Sequence, residues 1–206
     1  MRNFKLHNPY LKKNFNILEM QKRLWALLAK YFRRRRDLIK AQYNRVVPLN
    51  ELLTDRWEKA SYLGFGKATS IYDSSIVFGN VKVGRNTWIG PNTILDGTGG
   101  LTIGDNCSIS AGVHIYSHNT VKWAVSGGQS SYEYKETSIG NCCFIGPQAI
   151  IQNGVRIGDH CIIAANSFVN TDVANHTIIG GSPGRILGSV EIDANGEVLL
   201  KYLRSE

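Results

Sequence analysis

From Ile71 onward an aliphatic side chain returns at every sixth position, a rhythm that neither an α-helix nor a flat sheet can use. Val77, Val83, Ile89 and Leu95 follow Ile71; Ile109 and Ile115 follow Ile103; Ile145, Ile151, Ile157, Ile163 and Val169 follow Ile139. All fourteen positions are aliphatic, and only Leu95 is not β-branched. The next position is repeatedly glycine, at Gly84, Gly90, Gly104, Gly140, Gly146 and Gly158. Four residues after the aliphatic one stands a small or β-branched residue, as at Val81, Thr87, Thr93, Cys107, Val113, Cys143, Ala149, Val155, Cys161, Ser167 and Val173.

A six-residue unit satisfies this pattern when it is one short strand and one corner, so that three units close a triangular coil of about eighteen residues. The spacing predicts a parallel β-helix over 67–181, of about five coils, with the aliphatic ladder pointing inward. Glycine is expected at the corners where a positive φ is needed. The coils stack through parallel backbone hydrogen bonds about 4.8 Å apart.

The rhythm breaks twice. Leu95 to Ile103 is two residues longer than one unit, and Ile115 to Ile139 is eighteen longer. Eighteen is also one coil, but the ladder positions of such a coil, 121, 127 and 133, are Val, Gly and Glu, so residues 117–138 are expected to protrude as a loop. Counting faces puts Val77, Leu95, Ile115, Ile151 and Val169 on one side of the triangle. Both insertions then leave from the same corner on adjacent coils, which sets the Asp96-Gly97-Thr98 turn beside Tyr116-Ser117-His118. Irregular polar excursions on a rigid scaffold are where function is expected.

His118 opens the long insertion, and an imidazole with an ordinary pKa of about 6.5 accepts a hydroxyl proton near neutral pH. A lone histidine is more often a surface residue; position favours His118 as a general base, while His114 flanks it and His160 and His176 fall in surface turns. A zinc site would need a third histidine in the neighbouring turn, which reads Asp96-Gly97-Thr98-Gly99-Gly100, so no metal is expected. Asp96 would bind acceptor hydroxyls or orient His118, and Asn92, Tyr116, Asn119 and Trp123 are acceptor candidates, Trp123 for the apolar face it offers a sugar. Cys107, Cys143 and Cys161 share one position on successive coils and read as an inward ladder of small hydrophobes. No Gly-x-Ser-x-Gly nucleophile motif is present, and Gly97, Gly99, Gly100 and Gly127-Gly128 precede no helix, so they suit tight turns better than phosphate loops.

The chain carries a formal net charge of +8, but residues 1–45 hold thirteen Lys/Arg against Glu19 and Asp37, a net of +11, which leaves −3 for the rest. A nucleic-acid partner is therefore not expected from overall charge. Residues 1–66 read as a basic helical segment of one or two helices, with Asn14 or Asn16 as N-cap and Pro48 as a breaker. Its Arg33 to Arg36 run beside Trp25, Tyr31 and Phe32 fits either a helix lying on an anionic membrane or one packed on protein. No apolar run approaches the roughly 18 residues of a membrane span, and no leader pattern is evident, so a cytoplasmic protein is expected. Residues 182–206 read as a turn and a hairpin around Asn195-Gly196 that caps the last coil.

From Leu101-Thr-Ile-Gly-Asp-Asn to Gly180-Gly-Ser-Pro-Gly-Arg-Ile-Leu-Gly188, the chain resembles the hexapeptide-repeat acyltransferases, above all galactoside, maltose and nodulation-type sugar O-acetyltransferases. The stretch from Ile94 to Trp123 resembles members that act on surface polysaccharide or lipopolysaccharide. The resemblance implies a left-handed coil, a trimer and acetyl-CoA as donor, with His118 as the catalytic base. It implies donor contacts at Pro147, Ala165, Asn170, Thr171 and Arg185; a second basic residue of some relatives is replaced here by Gly188. O-acetylation of a sugar hydroxyl is the activity implied. Amino-sugar N-acetylation and a non-catalytic hexapeptide scaffold remain the alternatives.

Overall fold

A computed structural model describes residues 9–203, with side chains described from residue 17 onward. Two compact units divide between Leu53 and Thr54. The first holds α1 (Pro9–Tyr43) and α2 (Leu49–Leu53). The basic segment thus begins with one helix rather than two, and Asn14 and Asn16 lie inside it rather than at its N-cap. Asn44 ends α1 at a positive φ of 50°. Within this unit the Arg35 Nε donates to the Leu52 carbonyl at 3.1 Å, and Leu52 is buried.

The second unit opens with α3 (Arg56–Tyr62), where the Asp55 carboxylate accepts from the Trp57 and Glu58 amides. Lys59 donates to the carbonyls of Tyr72, Asp73 and Ser75, and Ala60 joins the core, so residues 54–66 belong to the unit of the β-helix. Short strands then follow in chain order: β1 (Ser70–Ile71), β2 (Ile76–Val83), β3 (Trp88–Ile89), β4 (Ile94–Ile103), β5 (Ser108–Ile109), β6 (His114–Ile115), β7 (His118–Asn119), β8 (Glu133–Tyr134) and β9 (Thr137–Ile139). They continue as β10 (Phe144–Ile145), β11 (Ile150–Ile151), β12 (Arg156–Ile157), β13 (Ile162–Ile163), β14 (Phe168–Val169), β15 (Thr177–Gly180), β16 (Arg185–Ile192) and β17 (Val198–Tyr202). The small helix α4 (Val121–Val125) lies between β7 and β8.

The aliphatic ladder sets the register of this left-handed β-helix. Ile71, Ile89, Ile109, Ile145 and Ile163 align on one face, and β15 adds a further parallel rung through Ile163 and Ile179. The solenoid therefore has about six turns, not five. The sixth is masked in the sequence because the step from Val169 to Val173, which bridges Ile157, is shortened. Leu95, Ile115, Ile151 and Val169 align on a second face, and Ile103, Ile139 and Ile157 on the third. Most of these side chains are almost wholly buried. The Cys107, Cys143 and Cys161 thiols lie in the same core, donating to the carbonyls of Gly140, Gly158 and Ala174.

The repeated glycines have a different cause from the one expected. Gly84, Gly104, Gly140 and Gly158 are not among the residues with positive φ; a Cβ on any of them would come within 2.2–2.6 Å of an Asp or Asn side chain on the next coil. The positive φ falls two residues later, at Asn86, Asn106, Cys142 and His160. The glycine admits Asp105, Asn141, Asp159 and Asn175, each of which accepts from a backbone amide of the preceding coil.

At the C-terminal end β16 runs antiparallel to β15, and β17 to β16, covering the open edge of the last rung. The turn between them is tied by Asp193, whose carboxylate accepts from the Asn195 and Glu197 amides, with Gly196 at φ 84°.

Candidate active site

Both insertions meet at one corner. The extra residues between Leu95 and Ile103 do not make a separate turn: β4 runs through the corner as one ten-residue strand, paired with β2 on one side and with β6 and β9 on the other. Residues 117–138 carry structure of their own, an antiparallel pairing of β7 with β8 in which His118 faces Tyr134, with α4 between them. The Ser117 Oγ accepts from the Gly99 amide at 2.8 Å, and a Cβ on Gly99 would lie 2.2 Å from the Ser117 carbonyl, so only glycine allows the two insertions this approach.

Asp96 sits at the centre with no exposed side-chain surface. One carboxylate oxygen accepts from the Thr98 amide at 2.9 Å and from the Thr98 hydroxyl. The other accepts from the amides of Ser117 and His118 at 3.0 and 3.2 Å and pairs with His118 Nδ1 at 2.5 Å. Burial pushes the Asp96 carboxyl up, but the hydrogen bonds from Thr98, Ser117 and His118 together outweigh it and hold the group below its ordinary value. It is a carboxylate, and it assigns the imidazole proton to Nδ1. Nε2 of the neutral ring is then the nitrogen with a free lone pair, on a side chain 29% exposed. Chemically the pair can accept a proton at Nε2 and stabilise the resulting cation through Asp96.

Of the two roles expected for Asp96, orienting His118 fits this geometry; contact with an acceptor does not, since the carboxylate is sealed off and fully engaged. Tyr134 stacks on the His118 ring, centroids 6.2 Å apart. Asn119 is tied into the loop, donating to Glu133 at 2.9 Å and to Asn153 at 3.3 Å and accepting from the Val121 amide. Glu133 also pairs with Lys122 at 2.6 Å. Trp123, in α4, is 41% exposed and stands edge-on to Tyr132. Tyr116 is half-buried beside His114, its hydroxyl 3.3 Å from His114 Nδ1. Asn92 lies outside this cluster, in the exposed corner before β4, its amide bonded to the Ser74 hydroxyl.

The residues expected at the donor divide between corners. Pro147 and Ala165 are exposed on adjacent coils of one corner, where a Cβ on Gly146 would lie 2.6 Å from the Ala165 amide. Asn170 and Thr171 follow β14, on the corner column that also carries Asp96 and His118. Arg185 opens β16 and is exposed. Gly188 has a reason of its own: a Cβ there would stand 2.0 Å from the Lys201 carbonyl of β17, so the hairpin leaves no room for a basic side chain. Among the described residues no cluster of His, Cys, Asp or Glu could hold a metal. Thr98, Ser117 and Tyr134 were not singled out by the sequence. Thr98, two residues after an aspartate, is the one with a local signal, that of an Asx-type turn.

Comparison with known proteins agrees with the repeats. Residues 136–171 match the family described as bacterial transferase hexapeptide (six repeats), and residues 80–117 match the hexapeptide repeat of succinyl-transferase. Galactoside O-acetyltransferase of Escherichia coli (strain K12) is 30% identical over 112 residues, which are 54% of this chain and 55% of that protein. A maltose O-acetyltransferase from Clostridium difficile 630 superposes with a TM-score of 0.58 at 27% identity, over 80% of this chain and 89% of the other. A hexapeptide-repeat acetyltransferase from Vibrio cholerae O1 biovar eltor, complexed with acetyl coenzyme A, superposes with a TM-score of 0.58 over 78% of this chain and 87% of the other; at 24% identity that likeness is one of fold. The chain spans between about a quarter and just over half of the length of the first curated relatives it matches. By repeat, fold and relatives, this chain is similar to the hexapeptide-repeat acetyltransferases.

Proposed function

We propose that this protein is an acetyl-CoA-dependent O-acetyltransferase acting on a sugar hydroxyl of a surface polysaccharide or its lipid-linked precursor, with His118 as general base. The observation that carries this reading is the buried Asp96 carboxylate holding His118 Nδ1 at 2.5 Å. In the reaction His118 Nε2 takes the hydroxyl proton as the sugar oxygen attacks the thioester carbon. The tetrahedral oxyanion then collapses, the C–S bond breaks, and the thiolate recovers the proton from the imidazolium. Acetylated sugar and free coenzyme A result. Asp96 is a positioning residue in this scheme: it fixes the tautomer and stabilises the transient cation.

Pro147, Ala165, Asn170, Thr171 and Arg185 are proposed to receive the donor. Asn92, Tyr116, Asn119 and Trp123 are proposed to border the acceptor, Trp123 by offering its exposed ring. The working form is proposed to be a homotrimer in the cytoplasm; apolar side chains on the outer faces, among them Ile76, Phe78, Phe144 and Ile150, support association.

The test is acetyl-CoA turnover by the full chain, read as free thiol, across a panel of sugar hydroxyl and amino-sugar acceptors. Replacing His118→Ala should lower kcat by roughly 10²- to 10⁴-fold. An unchanged rate with the preferred acceptor would sink the general-base assignment, and faster turnover of amines would convert the reading to N-acetylation.

A further inference from the structure

The unit that the acetyltransferase reading leaves unused is the N-terminal one. Helix α1 is 35 residues long, about 50 Å at 1.5 Å per residue. Its described side chains keep a stripe of large apolar residues in solvent: Ile17, Met20, Leu24, Leu27, Tyr31 and Leu38, spaced alternately three and four apart save where Arg34 interrupts. Leu18, Trp25 and Leu28 widen it to about half of the circumference at about 100° per residue. Trp25 is 71% exposed. The opposite side carries Lys22, Arg23, Lys30, Arg33 and Lys40 against Glu19 and Asp37, with Arg34 at its border with the stripe. Helix α2 packs on this same face near the end of α1, where Phe32, Arg35 and Ile39 are half-buried, and leaves Tyr31 and Leu38 beside it exposed.

We infer that α1 is an interfacial anchor that lies in the headgroup region of an anionic lipid bilayer, its apolar stripe among the acyl chains and its basic residues against lipid phosphates. Two features select this partner. A helix with an apolar face of this width and a cationic opposite face matches the two-layered chemistry of a bilayer surface. The net of +11 over residues 1–45 complements anionic headgroups. No helix among the described residues is long and apolar enough to cross a membrane, so α1 lies along the surface. A second copy of α1 is the competing partner, because the three-and-four spacing also suits a coiled coil. The flanks argue against it. Lys30 and Arg35 occupy the two positions that face each other across a parallel pair, Arg34 falls on the seam, and Leu18 and Trp25 lie outside it.

The inference stands independently of the acetyl-transfer reading. Full-length protein is floated with vesicles of phosphatidylcholine alone or with phosphatidylglycerol added, at low and high salt. Binding is expected with the anionic vesicles, weakening as salt rises. Replacing Lys30, Arg33 and Arg34 by Gln should weaken partition roughly fivefold per charge removed, and Leu24→Asp with Leu27→Asp should abolish it. Brominated lipid should quench tryptophan emission in the native chain, and Trp25→Phe should remove most of that quenching. Circular dichroism and gel filtration check that each variant keeps its helix and oligomeric state. Failure to float with anionic vesicles at low salt overturns the inference, as does binding indifferent to all these substitutions. Self-association that Leu24→Asp with Leu27→Asp dissolves, without vesicle binding, would assign the stripe to a second copy instead.

Discussion

Asp96→Asn keeps the side-chain shape and removes the charge, which makes it the sharpest probe of the corner. Each carboxylate oxygen is an acceptor: one takes the Thr98 amide and hydroxyl, the other the Ser117 and His118 amides and His118 Nδ1. Asparagine can be an acceptor on one side only. With its oxygen toward Ser117 and His118, its NH2 group faces the Thr98 amide, leaving a buried donor unpaired at a cost of about 1–3 kcal/mol. Turned the other way, it confronts two backbone amides and forces the imidazole proton onto Nε2, which leaves the proposed base no outward lone pair. In either orientation the carboxylate that would stabilise an imidazolium is gone. A comparable substitution in a Ser-His-Asp site lowers kcat by about 10⁴, and a loss of roughly 10²–10⁴ is expected here. The assay is steady-state acetyl transfer at neutral pH with urea unfolding in parallel. The loss should fall on kcat with the KM for acetyl-CoA little changed, because Asp96 is sealed from the surface. A kcat within about tenfold of the native chain, or a loss carried by KM, would refute the argument.

Thr98→Val removes one donor to the carboxylate and should let the Asp96 pKa rise toward its ordinary value. The depressed folded pKa contributes stability above the unfolded value that is lost as pH falls through the folded one, so the variant should lose about 1.5–3 kcal/mol at neutral pH, and the gap should close in acid below the ordinary carboxylate value; a gap that widens in acid contradicts this. Gly99→Ala puts a Cβ 2.2 Å from the Ser117 carbonyl; a destabilisation of about 3 kcal/mol or more in urea melts is expected, and a neutral effect would mean that the two insertions are not held this close. Of the four free thiols only Cys142 is exposed, and burial pushes it up, so a disulfide reagent should modify one thiol slowly in the native protein and all four in denaturant.

The ladder was legible because it is a local signal repeated: each register pair links aliphatic residues one coil apart, as Ile89 with Ile109 and Ile145 with Ile163. The meeting of Asp96 with His118 followed from face-counting alone. Less legible was whatever the repeat does not encode. The pairing of β7 with β8 rests on partners fifteen or so residues apart that share no period, so Tyr134 could not be set against His118 in advance. The sixth turn was hidden by a shortened rung before Val173. The repeated glycines were visible, but their cause was not, because a close approach of the next coil and a positive φ leave the same residue in the sequence.

These contacts make the two insertions one energetic unit. A carboxylate with no exposed surface is costly to bury unless its lone pairs are filled. Asp96 receives two of its hydrogen bonds from Thr98, in its own insertion, and three from Ser117 and His118, in the next coil's. Neither insertion supplies enough donors alone. The separation of 22 residues between Asp96 and His118 is one coil lengthened by the two extra residues of β4 and by the offset of His118 along its strand. A strict hexad at β4 would remove the extra length that brings Gly99 and its amide onto Ser117. The small break in the rhythm therefore does as much as the large one: the eighteen-residue insertion presents His118, and the two-residue insertion builds the buried anion that fixes which of its nitrogens faces outward.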